Sequence, residues 1–427
     1  MTSQTPNQEL GSWRAWLVWS LSALAFSYAF FQRVAPSVMV SDLMAEFAIG
    51  GAVLGTLSAL YFYPYVLLQI PLGALIDRIG ARRLLTIALS IAGIGSIIFG
   101  TAESLYAAYL GRFLIGIGSA VGFLGSLTLA SRWFPPHRFA FLSGLVMFFG
   151  MSGGILAQGP LAGILEYIGW RNAMWSLGAF GILLAISIFI LVRNAPESTN
   201  NQNKPKEPWS QLWNGLAKAF SRLEVWKIAI VASTMSGAML TMGGLWGTPY
   251  LITTYGLDKT YAASFVSLIF VGWAFGAPFA GWLSDRIRKR KVLLVAGSLV
   301  LSSCLGLICF VPSLSLWLTV AVLVVSGISG AAMVVCFALV RENSPADIAG
   351  SVSGIVNSLT VASGAVLQPG VGYILDHLWN GTFEGGARVY TSDDYRSGFL
   401  LILVSCLIGF LITLTLRESK FTNVPQD

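Results

Sequence analysis

Uncharged apolar runs alternate with short polar clusters along the whole chain, and the runs are of similar size. About 20 apolar residues in a helix, at roughly 1.5 Å each, cross a hydrocarbon core of about 30 Å. Twelve runs approach or exceed that length: 15–40, 52–76, 84–101, 105–129, 139–168 and 174–191, then 226–252, 262–283, 292–311, 316–340, 351–375 and 399–416. Between the sixth and seventh lies NAPESTNNQNKPKEPWSQ, residues 194–211, which is too polar for a bilayer interior. The pattern predicts an all-α integral membrane protein of 12 transmembrane helices, arranged as two six-helix bundles over 15–192 and 226–417. The remaining pieces are a cytoplasmic N-terminus (1–14), a cytoplasmic linker (193–225) and a cytoplasmic tail (418–427). The linker carries one amphipathic stretch, WSQLWNGLAKAFSRL, suited to lie on the inner membrane surface.

Composition agrees with that pattern. Of 427 residues 55% are apolar and 11% charged, whereas soluble domains carry about 25% charged residues. Lys and Arg number 26 against 19 Asp and Glu, a net charge of +7. Such a balance can mark a nucleic-acid binder, but these cations sit in clusters between the apolar runs, so no nucleic-acid partner is expected. With the N-terminus in the cytoplasm, twenty of them fall in inside segments, Lys204, Lys206 and Lys420 included; four fall outside and two, Arg33 and Arg112, within spans. That asymmetry places both termini in the cytoplasm. Cys304, Cys309, Cys336 and Cys406 all lie in apolar runs and read as packing residues rather than a disulfide framework or a metal site. The first run is too long for a cleaved signal peptide, so the N-terminus is expected to be retained.

An internal repeat supports the six-and-six division. GALIDRIGARR, from Gly73 after the second run, returns as GWLSDRIRKRK after the eighth, and Gly73, Asp77 and Arg78 map onto Gly281, Asp285 and Arg286. Ser143-Gly144, Gln158 and Ile164-Leu165-Glu166 map in the same way onto Ser353-Gly354, Gln368 and Ile374-Leu375-Asp376. Two parallel repeats of this kind place a solute site near the midplane, between the halves.

GALIDRIGARR, with its degenerate copy, RFLIGIGSA around Arg112, and QGPLAG followed by GWR resemble the major facilitator superfamily over essentially the whole chain. The resemblance implies that fold and a transporter. It also implies gating roles for Gly73, Asp77, Arg78, Arg82, Arg112, Arg132, Gly159, Pro160, Asp285 and Arg286. Asp77, at a helix end, can accept from a neighbouring helix N-terminus and pair with Arg132, and Asp285 should do the same in the other half. Gly159 and Pro160 permit close helix approach and a bend.

A charge inside a span costs about 2.5–3.5 kcal/mol on insertion scales, so an intramembrane ion is a functional candidate. Arg33 lies 19 residues beyond Arg14, ~28 Å along a helix, past the midplane. It is either an arginine snorkelling outward toward Asp42 or Glu46, or an anion site, because guanidinium binds carboxylate through two parallel hydrogen bonds. QRVAP resembles the first helix of organic-anion transporters in this superfamily, whose arginine contacts substrate. Those relatives place an acid beside the arginine and another in the fourth helix, where this chain has Gln32 and Ser119.

No acid falls in the middle of a span, and His137 and His377 sit at helix ends. Proton-driven symport needs a buried titrating group, so uniport or exchange is favoured unless Asp42 or Glu46 is drawn inward. Helical spacing adds candidate lining: Tyr61, Tyr65 and Gln69 on one face of the second helix, Trp246 and Tyr250 on the seventh, and the amides Gln158, Asn357 and Gln368. LYFYPYVLLQIPLG and GLWGTPYL also resemble a narrower group that includes phagosomal nutrient transporters and a lysosomal dipeptide uniporter.

The expected function is secondary or facilitative transport, by alternating access, of a small carboxylate-bearing metabolite: an amino acid, short peptide, organic acid or carboxylate siderophore. The alternatives are a proton-coupled nucleoside or drug transporter and a non-transporting receptor of the same build. An enzyme is not expected, since neither an H-E-x-x-H string nor an intramembrane nucleophile with a base occurs. No cofactor is expected, and the partners are the solute and the lipid of a bacterial inner membrane, with the protein a monomer.

Overall fold

The computed structural model describes residues 10–196, 209–312, 314–345 and 348–418. Lys204, Lys206 and Lys420, counted above as cytoplasmic cations, lie outside the described residues. Among those described, twelve helical stretches are long and apolar enough to cross a membrane: Trp13–Val38, Gly51–Gln69, Ala81–Thr101, Leu105–Trp133, Pro136–Leu156, Gly159–Leu191, Leu223–Tyr255, Lys259–Ile287, Arg290–Phe310, Leu316–Glu342, Ala349–Leu378 and Ser392–Thr415. Several begin on a hydroxyl that caps the first turn. Ser12 accepts from the Ala15 amide, Ser104 from Ala107, Ser315 from Leu318, and Thr391 forms a reciprocal capping box with Asp394.

The run at 139–168 is not one helix. It breaks at Gln158 (φ −101°, ψ −109°) and restarts with Gly159 and Pro160, which occupy the first two positions of the next helix. Pro160 has no amide hydrogen to give to an earlier carbonyl, so the ladder must begin afresh there. A second break at Gly169, φ +72°, separates that short piece from the sixth run.

The chain folds as two compact units, 1–39 with 60–208, and 40–59 with 209–427. In the first unit, α1 (Trp13–Val34), α4 (Phe62–Ile79), α5 (Ala81–Thr101), α6 (Leu105–Ser119), α7 (Gly122–Trp133), α8 (Phe139–Leu156) and α9 (Gly159–Leu191) pack through small residues. A Cβ added to Gly93 would fall 2.8 Å from the Gly178 carbonyl, and one on Gly95 2.8 Å from that of Gly111. Such backbone approach is how helices associate where lipid gives no hydrophobic drive.

The second unit takes in α2 (Val40–Phe47) and α3 (Gly51–Ala59) ahead of the amphipathic α10 (Trp209–Phe220). It continues with α11 (Leu223–Ala238), a π-helical stretch (Met239–Trp246), α12 (Gly247–Tyr255), α13 (Lys259–Ile287), α14 (Arg290–Phe310), α15 (Leu316–Gly330), α16 (Val335–Glu342), α17 (Ala349–Leu378) and α18 (Ser392–Thr415). A two-stranded hairpin, Phe383–Glu384 with Ala387–Arg388, joins the last two helices. In α10 Leu216 and Ala219 are buried, while Trp213, Lys218 and Phe220 are exposed. Exposed apolar side chains such as Leu183, Phe275, Phe310 and Trp317 give both units an oily outer surface, which a bilayer would cover.

Candidate solute site

Arg33 stands in the last turn of α1, just before a 3-10 turn opened by Ala35 and Pro36. It is 5% exposed, and its guanidinium carbon lies 4.7 Å from the ring centre of Phe30, 5.4 Å from Tyr61 and 4.9 Å from Tyr65. Tyr61 and Tyr65 are one helical turn apart and stack at 6.0 Å with an interplanar angle of 23°. Three aromatic faces therefore take the place of water around the cation, each contributing about 0.5–2 kcal/mol depending on desolvation. Tyr61 is held in turn: its hydroxyl donates to the Ala29 carbonyl at 2.9 Å.

Gln32 points into the first unit, where its amide nitrogen donates to the Tyr28 hydroxyl at 2.8 Å and to Ser96. Its Oε1, the Arg33 Nε and the Ser119 hydroxyl are buried without a hydrogen-bond partner, an expensive arrangement unless something else satisfies them. Arg112, 1% exposed, donates from Nη1 to the Gln32 carbonyl at 2.8 Å, and its guanidinium carbon sits 5.4 Å from the Tyr61 ring. Two cations thus flank one tyrosine. In the second unit, the Asp42 carboxylate takes Lys259 at 2.8 Å. Gln69 donates to the Ala120 carbonyl at 3.1 Å, at the junction of α6 and α7. Gln158 is fully buried at the break before α9.

In the second unit the seventh span leaves the α register. Gly243 and Gly244 weaken the α-helix there, and Pro249 offers no amide hydrogen to the Leu245 carbonyl. Met239–Trp246 forms a π turn whose Gly247 amide reaches back to the Met242 carbonyl. Gln368 spans this turn: its side-chain amide nitrogen donates to the Leu240 carbonyl at 2.8 Å, and its backbone carbonyl accepts from the Trp246 indole at 2.9 Å. Both side chains are fully buried. Tyr250 packs on Phe399 and Tyr395, with ring centres 5.2 and 6.1 Å away. Asn357 is half-buried on α17.

The sequence profile of the Major Facilitator Superfamily matches residues 21–369. The chain belongs to that family. An uncharacterized transporter of Bacillus subtilis, YybO, is 24% identical over 91% of this chain and 92% of its own length. A probable galactarate/D-glucarate transporter of the same organism, GudP, is 24% identical over 95% and 94%. A bacterial homolog of the human lysosomal transporter Spinster, solved in an inward-facing and occupied conformation, superposes with a TM-score of 0.77 at 20% identity, covering 93% of this chain and 96% of its own. That likeness shows the fold. With its twelve apolar helices, this member of the superfamily is a multi-pass transporter of the inner membrane.

The residues of the superfamily strings make the following contacts. Asp77 meets Arg132 at 3.5 Å. Asp285 meets Arg290 at 2.5 Å, and Arg290 also takes Glu342 at 2.8 Å and Ser284 at 2.8 Å. Arg286 lies 5.5 Å from the Trp282 ring centre. The Arg82 guanidinium donates to the Phe189 carbonyl, at 2.9 Å from Nε, and its backbone amide to Asn194. Gly73 faces open space, whereas Gly116 of the fourth-span signature abuts Tyr61 and Pro64. The sequence did not single out Arg290, Glu342, Arg388 or Tyr390. Asp376 entered only as the repeat partner of Glu166.

Proposed function

We propose that this transporter is a facilitative or exchanging carrier of a small carboxylate-bearing metabolite, with Arg33 as its anion site. The observation that carries the proposal is Arg33, 5% exposed, with its guanidinium among Phe30, Tyr61 and Tyr65 and no carboxylate among the described residues at ion-pair distance. A buried cation without a counter-ion costs several kcal/mol; the Tyr61 and Tyr65 side chains, hydrogen-bonded to Arg33, offset a part of that, and a solute carboxylate would recover more through paired hydrogen bonds. The galactarate/D-glucarate relative supports an organic acid as the solute class. Gln32 beside the arginine is neutral and cannot titrate, which favours uniport or exchange over proton symport. The reading includes the six-and-six organisation, cytoplasmic termini and a monomer.

Counterflow tests it. Proteoliposomes preloaded with unlabelled D-glucarate, other organic acids, amino acids, dipeptides or nitrate are assayed for accelerated uptake of the labelled solute. At least one carboxylate should show counterflow that survives a protonophore and disappears in Arg33→Ala. Counterflow by nitrate alone, by no carboxylate, or undiminished in Arg33→Ala overturns the proposal.

A further inference from the structure

On α14, Ser298, Ser302 and Ser303 each donate to the carbonyl four residues earlier, at 2.7, 2.8 and 2.9 Å. Such back-bonding satisfies a hydroxyl where no water reaches it. Ser233 on α11 and Ser405 on α18 depart from that pattern. Both are half-buried, and neither hydroxyl has a hydrogen-bond partner among the described residues. Ser233 lies ten residues after Leu223, where α11 begins, and Ser405 ten residues before Thr415, where α18 ends. At ~15 Å along their helices, both stand deep in the hydrocarbon region of a bilayer.

These two hydroxyls open onto one groove of about 290 Å³, whose lining includes Ser233, Ser363 and Ser405 with Leu359, Val366 and Leu367. Each of α11, α17 and α18 thus supplies one serine. The frame is tight on both sides. A Cβ on Gly237 of α11 would lie 2.6 Å from the Leu367 Cδ1, and Ser236 donates across to the Thr360 carbonyl at 2.8 Å. That carbonyl also takes the Ser363 hydroxyl at 2.7 Å, so Ser363 is committed to its own helix. On the other side Gly409 of α18 abuts Thr234, and the Cys406 thiol donates to the Thr234 carbonyl at 3.5 Å.

The mouth of the groove is oily. Val366 is exposed on α17, as are Val404 and Ile408 on either side of Ser405 along α18, and a bilayer would cover such residues. An occupant arriving from lipid must therefore be largely apolar. Pure hydrocarbon would leave both serine hydroxyls unsatisfied. A charged group would meet no counter-ion, since none of the described residues that line the groove is charged.

We propose that this groove is a binding site for a neutral amphiphile of the alkanol class, a hydrocarbon chain bearing one hydroxyl. Such a hydroxyl donates to one of Ser233 and Ser405 and accepts from the other, while the chain lies over Leu359, Val366 and Leu367. An alkanol that enters the bilayer core leaves its hydrogen bonds to water behind, and the groove restores them. The volume sits at the lower end of the roughly 300–1,000 Å³ of small-molecule pockets, which suits a short chain rather than a polycyclic lipid. The site uses none of the residues assigned to the transported anion and does not depend on the carrier reading.

Photolabelling tests it. The purified transporter in liposomes is irradiated with an octan-1-ol derivative carrying a diazirine, and the adducts are mapped by mass spectrometry. Adducts around Leu359, Val366 and Ser405 should exceed those at Leu183 and Phe275, which are exposed on other helices, by about fivefold or more. Excess octan-1-ol should remove that enrichment and octane should not. Ser233→Ala combined with Ser405→Ala should abolish it. Val366→Trp, which keeps both hydroxyls and fills the mouth, should also abolish it and is the deciding variant if the double substitution fails to fold. Even labelling of all exposed positions, competition by octane as strong as by octan-1-ol, or enrichment that survives in either folded variant overturns the proposal.

Discussion

The Arg112 guanidinium donates to the backbone carbonyl of Gln32 at 2.8 Å, so a buried cation on α6 pins α1 one residue before Arg33. A charge-assisted hydrogen bond of this kind contributes about 1.5–3 kcal/mol. Arg112→Ala should lower the unfolding temperature and also weaken anion binding, although Arg112 itself stays tied to protein. Thermal unfolding with and without the transported anion reads both effects. An unchanged anion-induced shift would show that Arg33 is positioned independently of Arg112.

Arg33→Lys keeps the charge but loses the planar fork and its stacking on the rings. Binding of a carboxylate should weaken by about tenfold or more, roughly 1.4 kcal/mol, while Arg33→Ala abolishes it. Calorimetric titration of the purified variants checks the order. Equal affinity in the native and lysine forms would mean that the site needs charge without geometry.

Asp77 and Arg132 sit 3.5 Å apart with side chains 68% and 33% exposed, and exposed pairs contribute about 0–1 kcal/mol. Asp77→Asn should therefore leave the unfolding temperature within a few degrees while slowing turnover, if the pair acts in gating. A stability loss that matches the loss of transport would assign Asp77 to folding.

Tyr390 lies in the loop between α17 and α18 and donates to Asp376. Burial raises its pKa above the usual tyrosine value, and hydrogen bonding to Asp376 and that residue's charge raise it further. A raised value means the protonated phenol is favoured in the folded state. Its contribution is complete below the unfolded pKa of about 10 and is lost only as pH climbs through the higher folded value. The difference in unfolding temperature between the native chain and Tyr390→Phe should therefore stay flat from about pH 7 to 9.5. A difference that grows within that window would show that folding lowers the Tyr390 pKa.

The number of spans was legible because a bilayer imposes one length on every helix that crosses it, and length can be counted in residues. Arg33 and its tyrosines were legible for a related reason: an intramembrane cation is conspicuous, and Tyr61 and Tyr65 fall one turn apart. The breaks were harder. GPLAG announced a bend near Gln158, but the split after Leu156 and the second at Gly169 depend on how neighbouring helices pack. Trp246 and Gln368 stood out as polar groups in apolar runs, yet their mutual hydrogen bond around a π turn is a tertiary choice that spacing does not encode. The contact of Asp376 with the start of α3 was hidden for the same reason. Its partners at Gly51 and Ala52 are backbone amides, which every residue except proline possesses, and nothing local marks them as recipients of a distant carboxylate.

The amide of Gln32 has an electrical corollary. A carrier that moves a monoanion with no accompanying proton transfers a net negative charge at every turnover, and a cell interior at −100 mV opposes its entry by about 2.3 kcal/mol. Unaided import would then stop near a fifty-fold lower concentration inside than out, whereas swapping one monoanion for another moves no net charge and feels no voltage. Current or voltage-sensitive dye recordings would therefore distinguish the two modes of this protein, because uniport responds to membrane potential and one-for-one exchange does not.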